Sequence, residues 1–236
     1  MELQAIKTDR LYVKVAAQLS KLVSDGVILP GDRLPSEREL AEKLNVSRPT
    51  IREAMIALEL SGIVEIRTGS GIFVNQKKAF ITSEDQGVGP FEILQIRGII
   101  ESEACAIAVQ HITDDEIKQL RDTIVEMEEE EKRPDSSEKA DWKFHKIIAN
   151  ATQNSAITSI VNWLWELRGK SDLSAAFAQR LRAEGVHPSI QDHNDIVDAL
   201  EKRDAEQAKQ AMLRHIENAT AAASAYFDDP FNRIKL

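Results

Sequence analysis

"GDRLPSERELAEKLNVSRPTIREAMIALELSGIVEIRTGSGIFV", Gly31–Val74, carries more local signals than any other stretch of the chain. Ser36 followed by Glu39 is a capping-box pair, which predicts a helix over "SERELAEKLN". After a break at Asn45–Val46, Ser47 can cap a second helix, "SRPTIREAMIALELSG". Pro49 is tolerated there because the first helical turn has no intrahelical partner for its N–H. Gly62 ends that helix. "IVEIRTGSGIFV" then alternates apolar and polar residues on both sides of "TGSG", which predicts a β-hairpin. Upstream, Leu11, Val15, Leu19 and Leu22 recur at helical spacing, and "LPGDRLPS" reads as a turn-rich connector. Three helices and a hairpin in this order make a winged helix-turn-helix.

Such a unit suits duplex DNA. A helix fits the major groove, and side chains near its N-terminus reach base edges. That end carries Ser47, Arg48, Thr50 and Arg52. Ser47 and Thr50 can bond phosphate oxygens beside free backbone N–H groups. Arg48 has the planar fork for a bidentate contact with guanine. Arg38 can reach the backbone, and the small hairpin tip beside Arg67 can approach the minor groove.

Everything after Pro90 reads as helical, with a further capping-box pattern at Thr113–Glu116. The expected architecture is mainly α: a winged helix-turn-helix over 1–75, a polar linker over 76–89, and an all-α bundle over 90–236. Charge divides accordingly. Residues 1–80 hold 12 Lys+Arg and 10 Asp+Glu, 12 − 10 = +2, and the rest of the −9 total falls on the remainder. No apolar run approaches the roughly 20 residues that span a bilayer, and the first residues lack the apolar stretch of a signal peptide. Cys105 is alone, so no internal disulfide forms; a reducing cytoplasm is expected, with Cys105 as a small core residue.

In the bundle, Asp141 and His145 of "DWKFH" lie four residues apart, on one face of a helix. His193 and His215 lie 11 residues before and 11 after position 204, where a short break should fold two helices into an antiparallel hairpin. The two imidazoles then sit at matching heights. Three histidines and a carboxylate suit zinc, with other divalent metals as alternatives. His111 and His187 have no such counterpart. Arg97 has Glu101 one turn away as an ordinary partner, Asn154 can cap a helix, and Trp163 and Trp165 read as packing residues.

Gly31–Val74 resembles the DNA-binding domain of the GntR family of bacterial transcription regulators. That resemblance implies operator contacts at Arg38, Ser47, Arg48, Thr50, Arg52 and Gly69. Pro49 departs from the hydroxyl residue that relatives often carry. From Pro90 to Tyr226 the chain resembles the FCD effector domain of the FadR branch, whose metal-binding members use an Asp, a His four later and two further His. Asp141, His145, His193 and His215 match that pattern, with zinc first and nickel or manganese as alternatives. The resemblance also implies effector contacts at Arg97, Asn154 and, more weakly, Arg168. "GPFEILQIRGIIES", "ATQNSAITSIVNWLWELR" and "AKQAMLRHIENA" look closest to hexuronate-utilisation regulators. The expectation is a cytoplasmic, homodimeric repressor of sugar-acid catabolism, released from double-stranded operator DNA by a small carboxylate effector and without a membrane partner. It has no catalytic residues. The rival readings are a metal-dependent enzyme acting on a carboxylate, and a regulator whose metal is structural or is itself the signal.

Overall fold

The first helix, α1 (Leu11–Ser24), buries Tyr12, Val15, Ala16 and Leu19, a run at i, i+3, i+4 and i+7. The apolar face is therefore rotated from the expected one: Leu11 is 53% exposed and Leu22 only half-buried. The structure is a computed structural model that describes residues 10–75, 87–133 and 138–227.

Helix α2 (Glu37–Leu44) starts at the expected box, with Glu39 N donating to Ser36 Oγ at 3.3 Å and Ser36 N donating to Glu39 Oε2 at 2.9 Å. Asn45 closes it in the left-handed region, φ 52°, which asparagine tolerates better than most side chains. Helix α3 (Arg48–Leu60) is capped by Ser47 and ends before Gly62, φ 70°. Strands β1 (Val64–Arg67) and β2 (Gly71–Val74) pair antiparallel, Val64 opposite Val74 and Arg67 opposite Gly71. Ile51, Met55, Leu58, Val64 and Val74 are buried in this unit's core.

The "LPGDRLPS" connector does more than turn. Gly31 N donates to Val74 O and Leu34 N to Ile72 O, each at 2.8 Å, while Val74 N donates to Asp32 O at 2.9 Å. These bonds cover the outer edge of β2, which a two-stranded hairpin leaves open. Removing the α2 cap with Ser36→Ala should cost about 1 kcal/mol, read as a lower urea midpoint with an unchanged slope.

The helices that follow are α4 (Pro90–Ala108), α5 (Asp114–Glu131), α6 (Lys139–Ala151), α7 (Ser155–Lys170), α8 (Asp172–Ala183), α9 (Ile190–Glu201) and α10 (Ala205–Ala225). Thr113 forms the expected capping box with Glu116. Helices α4, α5, α6, α9 and α10 share one core around Leu120, Phe144, Ile196, Leu200 and Met212, and the Cys105 thiol is buried in it. The α9–α10 break is Lys202–Asp204, with Arg203 in the left-handed region at φ 56°. The Arg203 guanidinium donates to the Ile112 carbonyl and lies 3.3 Å from Asp114, tying this turn to the start of α5.

By contact the chain divides into one unit drawn from Met1–Pro90, Ser171–Phe177 and Ser224–Leu236, and another from Phe91–Lys170 and Ala178–Ala223. Of the expected linker, residues 76–86 lie outside the described residues. No helix among the described residues is long and apolar enough to cross a membrane.

Candidate metal centre and nucleic-acid interface

Asp141 and His145 share the inner face of α6, and the α9–α10 hairpin brings His193 and His215 together with ring centroids 4.4 Å apart. One donor atom from each of the four lies within 4.8 Å of the other three, and all four residues are buried. Bonds of about 2.0–2.2 Å in a tetrahedral zinc shell set the donors about 3.3–3.6 Å apart, so the widest-spaced donors must close by about 1 Å or more when the ion binds.

The chemistry of the donors fits a cation. His193 Nδ1 donates to the Ser189 carbonyl at 2.7 Å, so this nitrogen carries the proton. In the neutral ring, Nε2 then presents a lone pair 3.0 Å from the Asp141 carboxylate oxygen Oδ1. Lone pair against carboxylate is repulsive without a proton or metal ion between them. Burial pushes His215 down to about 4, leaving a neutral ring at pH 7, and its Nδ1 has no hydrogen-bond partner. His145 Nδ1 lies 2.5 Å from Glu101 Oε2 but off the line of a hydrogen bond. A carboxylate behind a ligating histidine fixes its tautomer and raises its basicity. Although burial works against ionisation, hydrogen bonds from His145 and His193, when the facing ring nitrogens carry protons, hold Asp141 well below the usual carboxylate range. Asp141 is therefore a charged donor.

Cationic side chains surround the cluster. Arg97 donates to Glu101 at 2.7 Å, and its Nη2 lies 3.4 Å from His145 Nε2. Its pairing with Glu101 and its place beside a candidate ligand are both realised. Arg168 donates to Glu138 Oε2 at 2.6 Å, and its Nη1 is 3.9 Å from Asp141 Oδ2. Both guanidiniums lie over the Trp165 ring, at 4.2 and 4.5 Å from its centroid, while His145 is 5.2 Å away. Trp165 is thus more than a packing residue, and its indole nitrogen is buried without a hydrogen-bond partner; Trp163 is exposed. Asn154 is exposed and its Oδ1 accepts from Ala156 N at 3.0 Å and Ile157 N at 3.3 Å, so in this state it caps α7. Sequence reasoning misses Glu101, Glu138, Ser189 and Arg182 as residues of the site. Glu101 and Ser189 carry a usable signal, being one helical turn from Arg97 and His193; Glu138 and Arg182 carry none.

On the first unit, Arg38, Ser47 and Arg48 are exposed, and Thr50 is half-buried at the start of α3. Ser47 caps the helix while its hydroxyl lies 2.8 Å from that of Thr50. The Arg48 side chain is 58% exposed and pairs with Glu37. Arg52 departs from the expectation of a groove-facing side chain. It is 9% exposed, and its Nε donates to Glu37 at 2.6 Å. It follows the inner face of α3, beside Ile51 and Met55, and from there positions the carboxylate that faces Arg48. At the hairpin tip Gly69 has φ 78°, a conformation that favours glycine.

Residues 11–74 match the family of bacterial regulatory proteins named gntR, and residues 92–218 match the FCD domain. The Exu regulon transcriptional regulator of Escherichia coli K12 is 37% identical over 217 residues, covering 89% of this chain and 83% of that protein. The Uxu operon transcriptional regulator of the same strain is 38% identical over 224 residues, covering 91% and 87%. The Uxu operon regulator of Haemophilus influenzae is 35% identical, covering 89% and 80%. Among solved structures, E. coli McbR/YncC covers 94% of this chain and 100% of its own at a TM-score of 0.50 and 19% identity, a likeness of fold alone. The first domain implies binding to operator DNA, and the FCD domain implies a small-molecule effector. The chain belongs to the GntR family, carries an FCD domain, and is a transcription regulator rather than an enzyme.

Proposed function

We propose that the protein is a homodimeric, metal-loaded repressor of hexuronate catabolism that leaves its operator when a sugar acid binds the helical domain. The reading assigns residues 1–75 to DNA binding, 76–89 to a linker, and 90–236 to sensing. One observation carries it: a buried Asp–His–His–His cluster with two guanidiniums at its edge. The names of the Exu and Uxu relatives support the same choice of regulon.

Charge favours an acidic effector. Arg97, Arg168 and Arg182 face Glu101, Glu138 and Asp141 across the cluster, 3 − 3 = 0 when the histidines serve as neutral metal ligands. A divalent ion held by Asp141, His145, His193 and His215 leaves the pocket at about +2 and supplies a Lewis-acid position for a carboxylate. Zinc suits this nitrogen-rich set best, with nickel or manganese as alternatives. Arg97 and Arg168 offer the forks that pair with a carboxylate, and Trp165 gives them an aromatic floor. Asn154 would contribute a hydroxyl contact after leaving its cap.

Operator recognition falls to Arg38, Ser47, Arg48, Thr50 and Gly69, with Arg52 acting through Glu37. Two copies related by a two-fold axis would read a pseudo-palindromic site. To release DNA, the effector must bind the DNA-free arrangement more tightly than the DNA-bound one.

Thermal-shift titration of the zinc-loaded protein with glucuronate, galacturonate and fructuronate tests the sensing step. Ligand at 100 times its Kd should stabilise by about 2.7 kcal/mol. No shift with any of the three acids would overturn the choice of hexuronates.

A further inference from the structure

Glu138 is built unlike an ordinary helix-capping residue. It occupies the N-cap position of α6, yet its side chain makes no cap hydrogen bond. Its backbone is left-handed, φ 53° and ψ 33°, a conformation that glutamate rarely adopts. Both carboxylate oxygens are turned toward arginines from other helices. Oε2 accepts from Arg168 Nη2 at 2.6 Å, and Oε1 lies 3.3 Å from Arg182 Nη1. The same Arg168 guanidinium reaches to 3.9 Å from the candidate metal ligand Asp141. About a quarter of each arginine side chain is exposed, so solutes can reach the pair.

A carboxylate held by two guanidiniums at the edge of a metal cluster has the chemistry expected of an acidic ligand in that place. We infer that Glu138 is a resident stand-in for the effector's carboxylate. It occupies an anion subsite made by Arg168 and Arg182, and an acidic effector binds by displacing it. Arg182 thereby becomes an effector-binding residue, supplied by α8. Strained backbone at a polar residue is a recurring mark of a functional site, and the left-handed φ of Glu138 is such a mark. The subsite also selects for size. A ligand must span from Arg168 and Arg182 to the metal cluster to replace Glu138 and meet the ion together.

This inference rests on reading the pocket as a carboxylate site, and its test is chosen to fail separately. Zinc-loaded wild type, Glu138→Gln, Arg182→Gln and the double variant are titrated with galacturonate, and in parallel with acetate and sulfate as generic anions. Glu138→Gln should bind anions about three- to tenfold more tightly, because a competing ion pair is gone. Arg182→Gln should bind them more weakly, and the gain from Glu138→Gln should shrink in its presence, the coupling expected of a shared subsite. Zinc content should be equal in all four proteins. Unchanged or weaker anion binding by Glu138→Gln overturns the inference, as does loss of zinc, which would make Glu138 a support of the metal ligands. Tighter acetate and sulfate binding without any galacturonate binding would sink the hexuronate reading and leave the subsite standing. Should Glu138→Gln fold poorly, Glu138→Gly suits the left-handed backbone and gives the same comparison.

Discussion

The His193→Ala variant is expected to purify without stoichiometric metal and to unfold at a markedly lower temperature than the wild type. His193 is fully buried, with its Nδ1 bonded to the Ser189 carbonyl, its Nε2 aimed at Asp141, and its ring edge-on to Phe144 at 4.7 Å. Truncation removes one donor of four. The loss in affinity should exceed the roughly 10–100-fold expected from disturbing a mere supporting hydrogen bond of a metal site. It also leaves a cavity beside Phe144 and removes the ring's hydrogen bond to the Ser189 carbonyl, which keeps only its bond from His193 N. Together these should cost about 2–4 kcal/mol even in the metal-free protein. Elemental analysis reads the first effect. The second appears in thermal unfolding with and without chelator: wild type should lose stability on chelation, whereas His193→Ala should not respond. Wild-type protein that carries no metal when refolded with excess zinc would remove the metal from the mechanism.

Arg48→Ala should weaken operator binding by about 1–3 kcal/mol, or roughly 5- to 150-fold, if its fork reads a base. Arg48 stands exposed at the first position of α3, where a helix enters the major groove. Its pairing with Glu37 is a solvent-exposed contact worth little, so DNA can take it over. Arg52 should behave differently. Its guanidinium is buried on Glu37, so Arg52→Ala should lower folding stability as well as operator affinity. Binding isotherms across salt concentrations, set beside urea unfolding of both variants, separate these roles. Full operator affinity in Arg48→Ala would remove it from the interface.

Much of the fold was legible because each local signal agreed with its neighbours. Ser36–Glu39, Ser47–Pro49, Gly62 and Thr113–Glu116 fall at the ends of the helices and turns they predict. The Asp–His–His–His cluster was legible for a geometric reason: helical spacing put Asp141 beside His145, and the symmetric hairpin set His193 against His215. What escaped was long-range. The strand-like pairing of Gly31–Leu34 with β2 uses only backbone atoms, which leave no pattern in side chains. The inward turn of Arg52 and the inner position of Tyr12 depend on what packs opposite them, not on period. Glu138 and Arg182 meet although separated by 44 positions in sequence (182 − 138), and no local rule joins them.

The link between sensing and regulation is tested most directly by operator release. Zinc-loaded protein on fluorescent operator DNA is titrated with glucuronate, galacturonate and fructuronate, then again after chelation, with anisotropy as the readout. At least one acid should release the zinc-loaded protein, and chelation should abolish that response while leaving DNA binding in place. Operator affinity unchanged by all three acids, or release that is indifferent to chelation, would contradict a metal-dependent sugar-acid switch.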